Sequence, residues 1–153
     1  MKHFLAIAAI AAMCGCTPGG MAAPSGGGTA GRNVTKIDVS IAAYGQASTP
    51  AGLALGFSPL VATVQVGSGV QFVNVDNTSH TASSVSGTTF PVTSPLTFAA
   101  TSASGSVLSA GWSTGTLQAG QMSPVFLADR TGTYLYGCFF HYSGTMRGVL
   151  VVQ

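Results

Sequence analysis

Hydrophobic and polar residues alternate along most of the chain after residue 33, and this period of two predicts β-strands. In "VTKIDVSI" (34–41), Thr35, Ile37, Val39 and Ile41 form one apolar face. Further strand-like runs are "VATVQV", "VQFVNV", "GWSTGTL", "SPVFLA", "GTYLYGC" and "RGVLVVQ". Because no later segment has a convincing helical period, the pattern predicts an all-β Greek-key sandwich of about seven or eight strands.

Three segments interrupt this regular pattern. Gly67-Ser68-Gly69 separates "VATVQV" from "VQFVNV" and predicts a hairpin turn between them. The apolar "AGLALGFSPL" (51–60) is too rich in Gly and Pro for a helix, so we expect a loop or a distorted strand. Residues 82–110 consist mainly of Ser, Thr, Ala and Gly, and predict an elaborated connection anchored by Phe90, Pro91 and Phe98.

The N-terminal segment, residues 1–16, predicts a secretory signal. Its basic start is followed by an apolar run that is too short to span a bilayer as a stable helix. "MCGC" is similar to a bacterial lipoprotein signal, so we expect lipidation at Cys16. Cleavage near "MAAP", which would release a soluble protein, is the alternative. Residues 17–32 then form a Gly/Pro/Ser-rich tether, and we expect the folded domain, residues 33–153, in the periplasm or cell envelope.

The composition is unusually poor in charge. Charged residues make up 5% of the chain, Glu is absent and the formal net charge is +2, whereas an ordinary soluble domain contains roughly 25% charged residues. This balance gives no basis for nucleic-acid binding, which needs clustered Lys and Arg. We also expect a monomer with little electrostatic steering of partners, and membrane contact only through a lipid anchor.

One cysteine remains after export. Cys14 and Cys16 lie at the signal, so Cys138 has no intramolecular disulfide partner. In "YGCFFHYSGTM" it is followed by His141 and Met146, and His80 lies far upstream after a predicted strand. Each residue alone is more often a core or surface residue, but two His, one Cys and one Met together form the blue-copper ligand set. The set predicts one copper ion, because imidazole suits Cu(II) and soft sulfur suits Cu(I).

Two segments carry a resemblance to a known family. "VQVGSGVQFVNVDNTSHT" resembles the first-ligand segment of cupredoxins, and "GTYLYGCFFHYSGTMRGVLVV" resembles the ligand loop of plastocyanin-like members. The resemblance implies a cupredoxin domain over residues 33–153 in which His80, Cys138 and His141 are the equatorial ligands and Met146 is the axial ligand. It also implies outer-sphere electron transfer through His141.

The chain departs from the plastocyanin pattern around these ligands. Gly137 replaces an aromatic residue, and Phe139-Phe140 replace a polar-Pro pair. Thr81 stands where Asn often braces the thiolate loop, so we expect its hydroxyl or its backbone N–H to support the ligands, together with Asn77.

Aromatic residues of the loop suggest a contact surface. We expect Phe139, Phe140 and Tyr142 to form an apolar docking rim around His141, because apolar patches on exported monomers often mark binding sites. We expect Arg147 to be solvated and to be the only charge near the proposed site.

The sequence thus predicts an envelope electron carrier that docks briefly with redox protein partners. Copper buffering or delivery is the alternative, and a metal-free adhesive or structural β-domain is the third hypothesis. An enzyme is not expected, because the two histidines beyond the signal cannot supply the oxygen-reducing cluster of a multicopper oxidase.

Overall fold

The computed structural model describes residues 33–153, which contain twelve strands and two short 3-10 helices. The strands are β1 (Val34–Val39), β2 (Ala47–Thr49), β3 (Gly52–Ala54), β4 (Phe57–Ser58), β5 (Val61–Val64), β6 (Gly69–Asn74), β7 (Ser83–Val85), β8 (Ala103–Ser104), β9 (Ser113–Thr114), β10 (Phe126–Leu127), β11 (Gly132–Gly137) and β12 (Arg147–Val152). The 3-10 helices are Phe98–Thr101 and Tyr142–Gly144. The predicted signal, the lipidation site Cys16 and the tether lie outside the described residues.

No helix within residues 33–153 is long and apolar enough to cross a membrane.

Two sheets form the body of the domain. One is four-stranded, in the order β10-β6-β1-β4, and the other is six-stranded, in the order β5-β12-β11-β7-β9-β8. β2 and β3 form a separate two-stranded hairpin. The predicted all-β sandwich is confirmed, but the predicted number of strands is too low, because the chain adds several strands of two or three residues that carry no clear alternation.

The two sheets share one hydrophobic core. Ile37 and Val39 of β1 are fully buried, as their alternation predicts, while Ile41 lies beyond the end of β1 and is 38% exposed. Aromatic rings fill the space between the sheets: Phe72 stacks on Trp112 with centroids 5.4 Å apart. Burial of these apolar and aromatic side chains supplies the main stabilisation of the sandwich.

The predicted hairpin at Gly67-Ser68-Gly69 is wrong. β5 pairs in parallel with β12, and β6 pairs in parallel with β1, so this turn carries the chain from one sheet to the other. Gly67 has a φ of +86°, which explains the choice of glycine at the reversal. The turn residues specify a sharp change of direction, whereas the strand partners come from distant segments.

The connection between residues 82 and 110 is elaborated as expected. It begins with β7, which pairs with β11, and continues through the 3-10 helix Phe98–Thr101 to β8, which pairs with β9. Phe90 is buried at 8% exposure, but Phe98 is 78% exposed. The expectation that both rings anchor this segment is therefore wrong for Phe98.

The ladder of β11 and β12 positions the ligand loop. It runs in register from Gly132 opposite Val152 to Gly137 opposite Arg147. The loop from residue 138 to residue 146 therefore leaves and re-enters the same end of the six-stranded sheet, opposite to the end that carries Gln153.

Candidate metal centre

Three of the predicted ligands meet at this end of the sandwich. The ligand atoms of His80, Cys138 and His141 all lie within 4.8 Å of one another. Cys138 Sγ is 3.8 Å from His80 Nδ1 and 3.6 Å from His141 Nδ1. Metal–sulfur and metal–nitrogen bonds of about 2.3 and 2.0 Å at 120° separate the two atoms by about 3.7 Å, so the cluster fits a single ion in a trigonal arrangement.

Backbone hydrogen bonds fix the loop that carries two of these ligands. The Cys138 N–H donates to the Met146 carbonyl (3.0 Å), and the Met146 N–H donates to the His141 carbonyl (3.2 Å). Thr145, just before Met146, has a φ of +66°, a left-handed conformation that β-branched residues rarely adopt. The loop therefore places its side chains through its own backbone geometry.

The predicted axial ligand, Met146, is fully buried and belongs to the same core cluster as Cys138. Gly56, with a φ of +78°, makes room for it: a Cβ at this position would lie 2.7 Å from Met146 Cγ and 3.4 Å from Sδ. The segment is tied to the loop because the Leu55 N–H donates to the Thr145 carbonyl (2.9 Å). Sequence reasoning missed Gly56, whose only signal is a glycine inside an apolar run.

The Cys138 sulfur is supported from the His80 side of the site. The Thr81 backbone N–H points to Sγ at 3.4 Å, and the Thr81 hydroxyl accepts a bond from the Phe139 N–H at 2.8 Å. Thr81 thus uses both groups that the sequence offered as candidates. Burial raises the pKa of the Cys138 thiol, and the hydrogen bond from Thr81 only partly opposes this. Metal binding at Cys138 must therefore release a proton near neutral pH.

His80 is fully buried, and its two ring nitrogens face different groups. Nδ1 faces Cys138, while Nε2 lies 3.1 Å from Asp76 Oδ2 and 3.1 Å from Thr78 Oγ1. Asn77, which we expected beside the ligands, is exposed. Asn77 contributes a backbone N–H to Asp76 Oδ1 (2.8 Å), so the group in contact with His80 is Asp76.

Asp76 is buried but well supplied with hydrogen-bond donors. Its Oδ2 accepts from the Ile41 N–H (2.8 Å) and the Ala42 N–H (3.3 Å) in addition to the contact with His80. Burial raises the pKa of Asp76, but the hydrogen bonds from His80 and from these backbone groups outweigh burial and hold the pKa well below its usual range. The carboxylate is therefore ionised at neutral pH.

His141 is the predicted ligand that reaches the surface. It is partly exposed, whereas His80, Cys138 and Met146 are each 0% exposed. Burial and the neighbouring His80 lower the pKa of His141. At neutral pH its ring is uncharged and available to bind a metal.

One of the three residues predicted to form the docking rim is buried in the structure. Phe140 is 44% exposed and Phe139 is half-buried, but Tyr142 is only 1% exposed and cannot belong to a rim. Arg147, which we expected to be solvated, is also buried: its guanidinium lies 4.1 Å from the centroid of the Tyr142 ring, and its Nε donates to the Tyr142 carbonyl. This stack turns both residues into supports of the loop.

A further aromatic residue takes the place of Tyr142 at the surface. Phe98, from the 3-10 helix Phe98–Thr101, packs edge-on against Phe139 with centroids 6.4 Å apart. Phe139 in turn packs against Phe140 (5.4 Å). We call Phe98, Phe139 and Phe140 the aromatic rim. Phe98 lies far from the loop in sequence, so no local pattern could place it there.

No protein-family model matches the chain, and no curated protein matches it. Similar solved structures include a purple cupredoxin from Nitrosopumilus maritimus, with 20% identity and a TM-score of 0.49 over 78% of this chain and 99% of that one. A reduced amicyanin variant has 18% identity and a TM-score of 0.49 over 79% of this chain and 83% of its own.

A mutant plastocyanin of fern is also similar to this chain, with 25% identity and a TM-score of 0.47 over 78% of this chain and 100% of that one. The metal site is assigned on the chain's own geometry. The two imidazoles and the thiol at one end of the β-sandwich fit one type 1 copper ion, and the proposed axial ligand Met146 is buried in the same core cluster as Cys138.

Proposed function

We propose that this protein is a type 1 blue-copper electron carrier of the bacterial cell envelope, in which His80, Cys138, His141 and Met146 bind one copper ion. When bound, copper would supply the one-electron Cu(II)/Cu(I) couple. The protein would supply a closed set of ligands and one path for the electron. The difference in exposure between His141 and the other three ligands is the observation that carries this proposal.

That difference in exposure suits electron transfer. With His80, Cys138 and Met146 fully buried, substrates and water have no direct access to those ligand atoms. The partly exposed edge of His141 then offers a short route for an electron to a docked partner. Four ligands from the protein also leave no coordination position for a substrate, which favours a carrier over an enzyme.

The ligand positions suit a change of oxidation state. The loop is braced by its own backbone bonds, by Leu55, and by the stack of Arg147 on Tyr142. Thr81 ties the His80 segment to the loop through its bond from the Phe139 N–H. Because these supports all come from the protein itself, the ligands need little rearrangement when the charge of the site changes.

We propose the aromatic rim beside His141 as the docking surface for redox partner proteins. Phe98 at 78% exposure and Phe140 at 44% present apolar surface. A small apolar contact suits brief encounters, since transient redox complexes bury little surface. A monomer in solution fits this mode of docking, and sedimentation velocity would test that state.

Electron self-exchange between oxidised and reduced protein tests the rim without an identified partner, because each molecule then docks with another copy. Phe98→Ser and Phe140→Ser should slow self-exchange, measured by NMR line broadening in mixtures of the two oxidation states. Val66→Ser is the matched control: Val66 is 48% exposed and bonds to Gln153 at the opposite end of the sandwich. Equal effects of all three variants would contradict the docking role.

Copper buffering or delivery is the competing function for the same ligand set. Delivery requires ready release, whereas the full burial of Cys138 and Met146 favours retention. The test combines voltammetry with a challenge of the Cu(I) protein by an excess of a Cu(I) chelator. A reversible one-electron wave and copper retained for hours would support the carrier. Loss of copper within minutes would support delivery.

The location in the envelope rests on the predicted signal and on Cys16. Mass spectrometry of the membrane fraction would find a diacylated or triacylated N-terminal cysteine if the lipoprotein prediction is right. A soluble periplasmic protein that begins near "MAAP" would instead support ordinary cleavage.

A further inference from the structure

Asp76 is not one of the four proposed ligands, but its side chain contacts the proposed ligand His80. The Asp76 side chain is 4% exposed and the His80 side chain 0%, and the Oδ2–Nε2 distance is 3.1 Å. The sequence contains three acidic residues in all, Asp38, Asp76 and Asp129, and this one lies against a proposed ligand. A buried carboxylate in a chain so poor in charge is costly unless it is well hydrogen-bonded.

The contact decides which nitrogen of His80 carries the proton. Asp76 Oδ2 accepts hydrogen bonds from the backbone N–H groups of Ile41 and Ala42, so it faces His80 Nε2 as an acceptor and Nε2 is the donor. In the neutral imidazole Nδ1 then carries the lone pair, and this atom faces Cys138 Sγ at 3.8 Å. The Thr78 hydroxyl at 3.1 Å from Nε2 fits the same tautomer as a second acceptor. The ring is therefore set for metal binding through Nδ1 before any metal arrives.

The carboxylate also contributes one negative charge beside the site. The thiolate of Cys138 supplies one negative charge among the four ligands, so a Cu(II) site keeps a net positive charge without Asp76. The only cation that the sequence places near the site, Arg147, is stacked on Tyr142. A nearby negative charge favours the more positive oxidation state, and the low exposure of Asp76 limits screening of its charge by water.

We propose that Asp76 is a positioning residue of the copper site: it fixes the His80 tautomer that presents Nδ1 and stabilises Cu(II) relative to Cu(I). This inference rests on the proposed copper site. It makes Asp76 a determinant of the reduction potential in addition to the axial ligand Met146 and the hydrogen bond from the Thr81 N–H to Cys138 Sγ.

A test must separate this role from the structural work of Asp76, whose oxygens also accept backbone bonds from Ile41, Ala42 and Asn77. Asp76→Asn keeps an oxygen that can accept the His80 proton but removes the charge. Asp38→Asn is the matched control. Asp38 accepts a hydrogen bond from the Tyr44 hydroxyl, so this variant loses the same charge and a side-chain contact without touching His80.

The first measurement is the ratio of Cu(II) to Cu(I) affinity in the purified proteins, read as the reduction potential. Asp76→Asn should lower the ratio about tenfold, the lower end of the effects known for groups that support metal ligands. A tenfold change raises the one-electron potential by about 59 mV. Asp38→Asn should change the ratio less than about threefold. No change in Asp76→Asn, or equal changes in both variants, would overturn the role of the charge.

The second measurement uses the copper-free wild-type protein and does not depend on the variant folding. Long-range ¹H–¹⁵N NMR of the histidine rings reports which nitrogen carries the proton. We expect His80 to be protonated at Nε2 and unprotonated at Nδ1, and a proton on Nδ1 would overturn the positioning role. A wild-type protein with this tautomer that binds no copper would refute the proposed function alone, so the two failures are distinguishable.

Discussion

Gly56→Ala tests how the structure makes room for Met146. At a φ of +78°, an alanine at this position is strained in itself, and its Cβ would lie 2.7 Å from Met146 Cγ. Cγ is close to the Met146 backbone, which the Cys138 N–H and the Leu55 segment hold in place. The clash therefore cannot be relieved by moving only the tip of the methionine.

Two costs add up in this variant. Placing a residue with a Cβ in the left-handed region costs about 1–2 kcal/mol, and overpacking a filled core costs about 1–3 kcal/mol. Gly56→Ala should thus lower the free energy of unfolding by about 2–5 kcal/mol. Gly120→Ala is the matched control, because Gly120 has a φ of +75° and an added Cβ would meet nothing within 4 Å. Gly120→Ala should therefore lower the free energy of unfolding by only about 1–2 kcal/mol, the cost of the left-handed backbone conformation.

Urea denaturation of the copper-free proteins measures the total cost of each substitution. A double-mutant cycle then shows how much of the cost of Gly56→Ala comes from the clash with Met146. Met146→Ala removes the side chain that meets the new Cβ. On that background, Gly56→Ala should cost no more than Gly120→Ala, which gives a coupling free energy of about 1–3 kcal/mol between positions 56 and 146. If Gly56→Ala lowers the free energy of unfolding equally on both backgrounds, or by no more than Gly120→Ala does, then Gly56 does not make room for Met146.

Three further predictions concern other buried groups near the site. The Tyr136 hydroxyl has no hydrogen-bond partner within residues 33–153, so Tyr136→Phe should leave the free energy of unfolding in urea unchanged or raise it by about 1 kcal/mol, and a clear loss would contradict this. Arg147→Lys should lower the free energy of unfolding by about 1–2 kcal/mol, because Lys cannot reproduce both the stack on Tyr142 and the Nε bond. An unchanged free energy of unfolding would show that the stack does not stabilise the fold. Asp76 has a folded-state pKa below its unfolded value, so its contribution is complete above about pH 4 and is lost as the pH falls towards the folded-state pKa. Acid titration of the copper-free protein should show this loss in the wild type and a smaller one in Asp76→Asn, and parallel curves would contradict it.

The ligand loop and the inner strands can be predicted from the sequence because the patterns that identify them are local. Alternation in β1 identifies Ile37 and Val39 as buried, and the spacing of Cys138, His141 and Met146 places them on one loop between paired strands. The turn at Gly67-Ser68-Gly69 shows where such reasoning fails. Its residues predict a reversal of the chain. The strands that pair with β5 and β6, however, are β12 and β1, the last and first strands in the order of the described residues.

The surroundings of the site depend on long-range packing, and the sequence predicts them less well. Tyr142 and Phe98 have similar apolar rings, yet one is buried under Arg147 and the other is exposed. Their exposure is decided by the path of residues 82–110, which has no periodic pattern. Asp76 illustrates the same point: its spacing of four residues from His80 is visible in the sequence, but only the folded loop turns its carboxylate rather than the Asn77 side chain towards the ring.

The visible absorption spectrum after addition of Cu(II) tests the central claim most directly, with Cys138→Ser as the control. An intense blue band from thiolate-to-copper charge transfer, bleached by a reductant, restored by an oxidant and missing in Cys138→Ser, is the predicted result. A colourless wild-type protein whose Cys138 thiol still reacts with a thiol reagent after unfolding would contradict the copper site and support a metal-free β-domain.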